Sequence, residues 1–469
     1  MHRAVASLAI AALASTAPLA ATEPRIVIDG AFDDWRGPIP AAEDPFDAPG
    51  VELDLGRIAV AHDAGAVYIQ LEFAGTVLPQ GLDGTATLLF DADGDSTTGA
   101  PQLSVPGVDV AVVFSPPQPD WTSGARGITA RSVGSPAGAP GRTLTSYDLG
   151  LMIAPTHAAN RFELRLERGV TLPGTGELFR AGSFAVAFAY VGPDGEIGER
   201  SDILTYTFGP ASPEPATRDE ARDPLARAEG TELRIVSWNV GARAIVDRAG
   251  DFFRVLSALS PDVVLFDEVP GDVAPTALLA SFGGLPAPSD RAWQAAVGPG
   301  GGRQHAAVLS HHPVRLAPEL ARVTYPEDFA AFLTTIDRPW IQEDLAGAAT
   351  EGVSTAGFVI AAGERQLLAL PVDLQCCGRV GEPEDRIREI QAEAIRRAVA
   401  AALPDLDLDG VVLAGDLNMV GSRAPLEILR RGLDVDGSDL EVVDAIQLDG
   451  RSADADPNTT GHRPQEASW

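Results

Sequence analysis

Between about Glu23 and Pro210 the apolar positions recur every second residue. Val67, Ile69, Leu71 and Phe73 share one face of an extended segment, with Tyr68, Gln70 and Glu72 on the other, because successive side chains of a strand point to opposite sides. Val108, Val110, Val112 and Phe114 repeat the pattern, as do Phe162, Leu164 and Leu166. Clusters of Gly, Pro and Asp separate these runs, and no long helical stripe interrupts them. Residues 24–209 are therefore expected to form an antiparallel β-sandwich. In residues 210–230, Pro213, Pro215 and Pro224 stand among charges with few large apolar side chains, a composition suited to an exposed linker.

From residue 231 to 469 the rhythm changes to strand–helix alternation. LRIVSWNV is a short buried strand. Phe252, Val255, Leu256 and Leu259 follow helical spacing, and PDVVLF is a second strand. Ile387, Ile390, Ala394, Ile395 and Ala398 form a helix stripe that leads into the strand DGVVLAGD. This half is α/β or mixed α+β, so the chain is multidomain, as its 469 residues also suggest.

Composition and charge narrow the classes. Hydrophobic residues make up 45% and charged residues 22%, which is globular rather than disordered. The net charge is −31, with no Lys at all, and such a surface disfavours long nucleic acid as a partner unless a bound cation supplies positive charge at the site. Residues 1–21 have the form of a signal peptide: a basic start at Arg3, an apolar run from Ala4 to Ala14, and small residues up to Ala20 and Ala21. No later run of about 18 apolar residues occurs, so no membrane span is expected, and the localisation expected is secreted or periplasmic. The two cysteines, Cys376 and Cys377, are adjacent and form no disulfide framework; a vicinal disulfide and two buried thiols are both open readings.

Chemistry-bearing side chains gather at strand ends. Asn239 ends LRIVSWN, Glu268 ends DVVLFDE, and Asp416 and Asn418 end VVLAGDLN. Two-residue spacing places Asp416 and Asn418 on one face, about 7 Å apart if the strand continues, and Gly415 leaves room for close approach. One Glu, one Asp and two Asn suit a hard divalent cation, which takes oxygen ligands and keeps several waters.

RIVSWNV, PDVVLFDEV and LAGDLN, in that order, with AVLSHHPV between the last two and a helix over 385–402 ahead of GDLN, resemble the motifs of the endonuclease/exonuclease/phosphatase superfamily, the DNase I-like fold. The resemblance spans Glu232 to Trp469. It implies an α/β four-layer sandwich that hydrolyses a phosphoester substrate with Mg²⁺ or Mn²⁺. It further implies that Glu268 ligates the metal and that Asn239 ligates it or holds the carboxylate. Asp416 would orient and deprotonate the attacking water, and Asn418 would hydrogen-bond the developing phosphorane charge.

The pattern also departs from that family. Asp267 stands where the family usually has Gln. Asp373 occupies the place where many members carry a phosphate-contacting His, and is expected at the phosphate site, against the metal, or in a supporting or structural role behind the ligands. After Asp444 no final Ser-Asp-His follows, and His462 lies in a polar stretch that makes it a poor substitute. The domain is expected to be incomplete at its C-terminus. The segment from Val323 to Val353, with Trp340, is a candidate specificity loop.

In the first half, VIDGAFDDW, LLFDADGDSTTGAP, GVDVAVVF and FELRLER resemble the β-sandwich of family-nine carbohydrate-binding modules, which implies a carbohydrate or cell-surface ligand. Trp35 and Trp121 are the aromatic candidates for sugar stacking, although Trp35 also fits a buried cap. Asp91, Asp93 and Asp95 form a candidate Ca²⁺ loop, or a tight turn with solvated carboxylates. Two functions from different classes therefore stand side by side: an exported metal-dependent phosphoesterase, and a non-catalytic extracytoplasmic binding protein carrying a degenerate phosphoesterase scaffold.

Overall fold

The computed structural model describes residues 26–442, apart from 37, 48–50, 115–127, 134–140, 156, 173–175, 210–224, 226, 228, 288–290 and 377. The segment expected to be a signal peptide, most of the expected linker, Trp121, Cys377, Asp444 and His462 lie outside the described residues.

The first half is built on two large antiparallel sheets, with two small two-stranded ones beside them. One has five strands and is centred on Leu55–His62, Ala66–Val77 and Ala159–Glu167; the other has seven and is centred on Thr85–Asp91, Val110–Phe114 and Ser183–Val191. The period-two residues meet between the two large sheets, except Val108, which packs in a separate cluster with Leu89 and Ala111. Val67, Ile69, Leu71, Phe73, Phe162 and Leu164 pack with Leu88, Phe90, Val110, Val112, Phe184 and Phe188 in one core. The other face of Ala66–Val77 is not simply solvated, since Tyr68 and Gln70 are buried too. The segment carrying Ile26, Ile28 and Trp35 folds over that face. Trp35 is buried there, and its Nε1–H donates to Glu163 Oε2 at 2.7 Å. A buried indole cannot stack on a sugar, so Trp35 is a packing residue rather than a carbohydrate contact.

The second half has two four-stranded sheets. The first runs in the order Ile235–Asn239, Val263–Pro270, Gln304–Ser310, Gln294–Val297; the second runs Val314–Leu316, Phe358–Ala362, Arg365–Asp373, Gly410–Asp416. Both are mixed: Ile235–Asn239 is parallel to Val263–Pro270, and Arg365–Asp373 is parallel to Gly410–Asp416. Val263, Leu265, Val308, Phe358, Ile360 and Ala369 fill the space between the sheets. Val264 and Phe266 face outward onto Phe252, Leu256, Leu278 and Phe282 of the Ala249–Leu259 and Pro275–Phe282 helices. Leu368, Leu370 and Val372 face outward onto Ile387, Ile395 and Val399 of the Pro383–Ala402 helix. Val255, expected in the helical stripe, is exposed. The candidate specificity loop is largely helical (Phe329–Leu333 and Pro339–Glu351), with Phe329, Ile341 and Leu345 in the core and Trp340 exposed.

Candidate active site

Period-two alternation decides which side chains meet at the mouth of the inter-sheet space. Ile235, Leu265, Ala369, Val412 and Ala414 all point between the sheets. Counting on by twos from them leads to Asn239, Asp267, Asp373 and Asp416. The Val263–Pro270, Arg365–Asp373 and Gly410–Asp416 strands are thus apolar before they turn polar at their ends, whereas Ile235–Asn239 carries the exposed Ser237 between Ile235 and Asn239. Asn239 stands in register with Asp267, and Asp373 with Asp416.

Glu268 would point outward by the same count. A register shift between Phe266 and Val269 breaks the alternation there, and Glu268 has a φ of +56°. Bulges of this kind re-aim a side chain, and a left-handed non-glycine residue is held there by its surroundings. The result brings Glu268 to the other carboxylates. Asn239 Nδ2 donates to Glu268 Oε1 at 2.9 Å and to Asp416 Oδ2 at 3.1 Å, which ties the two sheets together. Gly241 N donates to Asn239 Oδ1 at 2.9 Å, so the network itself fixes which amide atom faces the acids. Asn239 therefore turns its donor, not its oxygen, to the site. That geometry suits holding the carboxylates rather than ligating a metal.

Asn418 does not continue the strand. The strand ends at Asp416, Asn418 has a φ of +48°, and its N–H donates to Asp416 Oδ1 at 2.9 Å. The chain curls back in the local turn that an Asp side chain favours. Asn418 Nδ2 then reaches Leu374 O at 2.8 Å and, more weakly, Asp373 Oδ1 at 3.4 Å. Gly415 makes the approach possible, because its φ is +146° and a Cβ there would lie 2.1 Å from Val372 O.

Two supports carried no sequence signal. Gln304 Nε2 donates to Glu268 Oε2 at 2.8 Å, so each Glu268 oxygen receives one amide. Behind Asp373 and Asn418, the Pro383–Ala402 helix buries Asp385, Arg388 and Gln391. Arg388 donates to Gln375 O and pairs with Asp385, Gln391 accepts from Gln375 N, and Asp385 accepts from the N–H groups of Ser422 and Gly381. That network pins the loops on both sides of the site. The halves of the molecule touch here as well, through Ala158 N to Gly421 O at 2.8 Å and an Arg379–Asp83 ion pair.

The electrostatics are one-sided. Glu268 and Asp416 take hydrogen bonds from amides, and among the described residues no Arg or His donates to either. Asp267 is 1% exposed, and neither of its carboxylate oxygens has a hydrogen-bond partner among the described residues. Burial, followed by the Asp416 and Glu268 charges, pushes its carboxyl up to about 8. Burial and the Glu268, Asp416 and Asp267 charges also raise Asp373 well above the usual carboxylate range. Unpaired buried acids are costly, and hard oxygen donors without a basic partner fit a divalent cation. Among the described residues Glu268, Asp267, Asp373 and Asp416 form no triplet with ligand atoms all within 4.8 Å, so a small ion such as Mg²⁺ would be held by one or two of them with waters completing its shell. Tighter triplets, with ligand atoms within 4.8 Å of one another, occur at Asp262–His311–His312 and Asp91–Asp93–Asp109. In the first, Asp262 is already satisfied by His311, Arg227 and Arg234 N, which makes it a structural clasp for the AVLSHHPV turn. Asp95 stands apart from the second triplet, exposed and bonded to Thr97.

No family model and no curated protein matches the chain. Solved structures with a partial likeness include TDP2 from C. elegans, at 14% identity and a TM-score of 0.25, covering 40% of this chain and 48% of that one. An AP endonuclease from Archaeoglobus fulgidus aligns at 13% identity and a TM-score of 0.27, covering 42% and 68%. A hairpin-deletion mutant of beta toxin from Staphylococcus aureus aligns at 16% and 0.28, covering 42% and 72%. The chain thus spans about half the length of that TDP2. At these identities and TM-scores the likeness to each is partial.

Proposed function

We infer that the second half is a phosphoester hydrolase, built as a four-layer DNase I-like sandwich and working with Mg²⁺ or Mn²⁺ in an exported protein. The observation that supports this most is the Asn239 amide, which joins Glu268 of one sheet to Asp416 of the other. Glu268 would hold the cation, with Asp267 and Asp373 adding negative charge beside it. When bound, the cation supplies positive charge that polarises a phosphoryl oxygen and offsets the crowding of acids.

The chain's own residues do the rest. Asp416 has Oδ2 fixed by Asn239 and Oδ1 by the Asn418 N–H, so its carboxylate is oriented before substrate arrives and can accept a proton from the attacking water. General-base help of this kind typically contributes about 100- to 10,000-fold. Asn418, with its amide turned to Leu374 O, acts as a positioning residue for Asp416 in this geometry. The substrate is a phosphoester whose class is set by the rim, and the −31 net charge disfavours long nucleic acid.

The test is turnover of bis-aryl phosphate, a phospholipid and an oligonucleotide with Mg²⁺ by the full chain and by Asp416→Ala. The expected result is hydrolysis of at least one substrate, lost by about 100-fold or more in the variant. Cation binding with no turnover of any of them would support the non-catalytic scaffold instead.

A further inference from the structure

We propose that the β-sandwich holds a structural calcium ion between Asp91, Asp93 and Asp109, at the end of the Thr85–Asp91 strand. The site is independent of the phosphoesterase reading.

The three side chains come from two directions. Asp91 closes the Thr85–Asp91 strand, and Asp93 follows it in the turn. Asp109 sits at the break between the Val105–Val108 and Val110–Phe114 strands. One oxygen from each lies within 4.8 Å of the others. Oxygens bound to one calcium ion at about 2.4 Å lie no more than about 4.8 Å apart, so the three side chains are close enough to share an ion.

A cluster of acids alone would prove little, but Asp91 adds a separate observation. It is 6% exposed, and its Oδ1 has no hydrogen-bond partner among the described residues. Asp109 is 3% exposed, with Oδ2 taking the Ala92 N–H at 2.9 Å. A buried carboxylate oxygen left without a partner costs free energy, and a hard cation is the partner that two further carboxylates would share. Asp93 is only half-buried and gives the ion a way in; its Oδ1 also takes the Asp95 N–H at 2.9 Å, which shapes the loop. In the absence of a cation, burial and then the Asp93 charge push Asp91 up to about 6 and Asp109 up to about 7. The backbone is committed to the geometry. Gly107 has a φ of +66°, and a Cβ there would lie 2.5 Å from Ser96 Cα and 3.1 Å from Asp91 Oδ2.

The experiment uses the full chain carrying Glu268→Gln, which weakens the other cation site, after treatment with a chelator. Calcium chloride is titrated by calorimetry, and thermal unfolding is followed with and without the ion. The expected result is one equivalent of Ca²⁺ bound with a dissociation constant of about 1 mM or tighter, together with a raised unfolding temperature. Asp91→Asn weakens binding by tenfold or more, whereas Asp95→Asn binds as the parent does. If Asp91→Asn fails to fold, Asp93→Asn, at the half-exposed position, takes its place with the same expectation. A parent without saturable Ca²⁺ binding, or an Asp91→Asn or Asp93→Asn variant that binds as tightly as the parent, overturns the proposal.

Discussion

Asn239 shows how much one amide can organise. Its Nδ2 serves two carboxylates on different sheets, and its Oδ1 is anchored by Gly241 N. Replacing it with Ala leaves Glu268 and Asp416 with fewer donors and no link between them. The expected loss is about 1–3 kcal/mol of organisation at the site, read as a fall in kcat with a smaller change in unfolding temperature. Asn239→Asp should be worse than Ala, because it adds a further negative charge to acids that already repel. At this scale the sequence was partly legible. Asn239, Glu268, Asp416 and Asn418 are all brought to one place, and Asp373 joins them. The sequence could not show that Asn418 curls back rather than continuing the strand, since local turn chemistry overrides the two-residue count. It also gave no sign of Gln304, and only a faint one of Asp109. Gln304 is an ordinary polar residue at a strand start, whereas Asp109 did leave a trace as a lone acid between Val108 and Val110 in an apolar run.

At the scale of elements, strand periodicity and helix spacing were readable because each has a fixed repeat, and the paired apolar sets do meet as cores. The Glu268 bulge was not readable, since a single extra residue in a strand leaves no periodic mark. The polar side of the Pro383–Ala402 helix was also hidden, because its apolar stripe suggested that the remaining positions face water. Instead Arg388 is fully buried against Asp385. Arg388→Ala leaves that acid with its N–H donors but without its buried cation, and loosens the loops flanking the site. The expected cost is about 3–5 kcal/mol, measured as a lower denaturation midpoint. Gly415→Ala tests the strand crossing. A Cβ 2.1 Å from Val372 O has no room without backbone movement, and clash plus strain should cost about 3 kcal/mol or more. Chemical denaturation of the purified variant would show it.

For the whole molecule, the buried acids make stability depend on pH and on cations together. Asp267 is pushed up to about 8 and Glu163 to about 7, in each case chiefly by burial, and Asp373 is raised too. Their folded-state values lie above the unfolded ones, so the folded protein holds more protons between about pH 4 and pH 8. Stability of the cation-free protein should therefore fall as pH rises through that window and level off above it. Thermal unfolding at pH 6 and pH 8 after chelation would show the higher midpoint at pH 6. Added Mg²⁺ should shrink the difference, because it stabilises the ionised acids near Glu268. An equal midpoint at both values would mean that these acids are better compensated than their surroundings indicate.

Whether Glu268 and Asp416 share one hard cation is measured most directly by a Mn²⁺ titration of the full chain followed by electron paramagnetic resonance of the free ion. Wild type is expected to take up one equivalent at this site, with that equivalent lost or weakened tenfold or more in Glu268→Gln. Identical uptake by wild type and Glu268→Gln would mean that Glu268 holds no cation there.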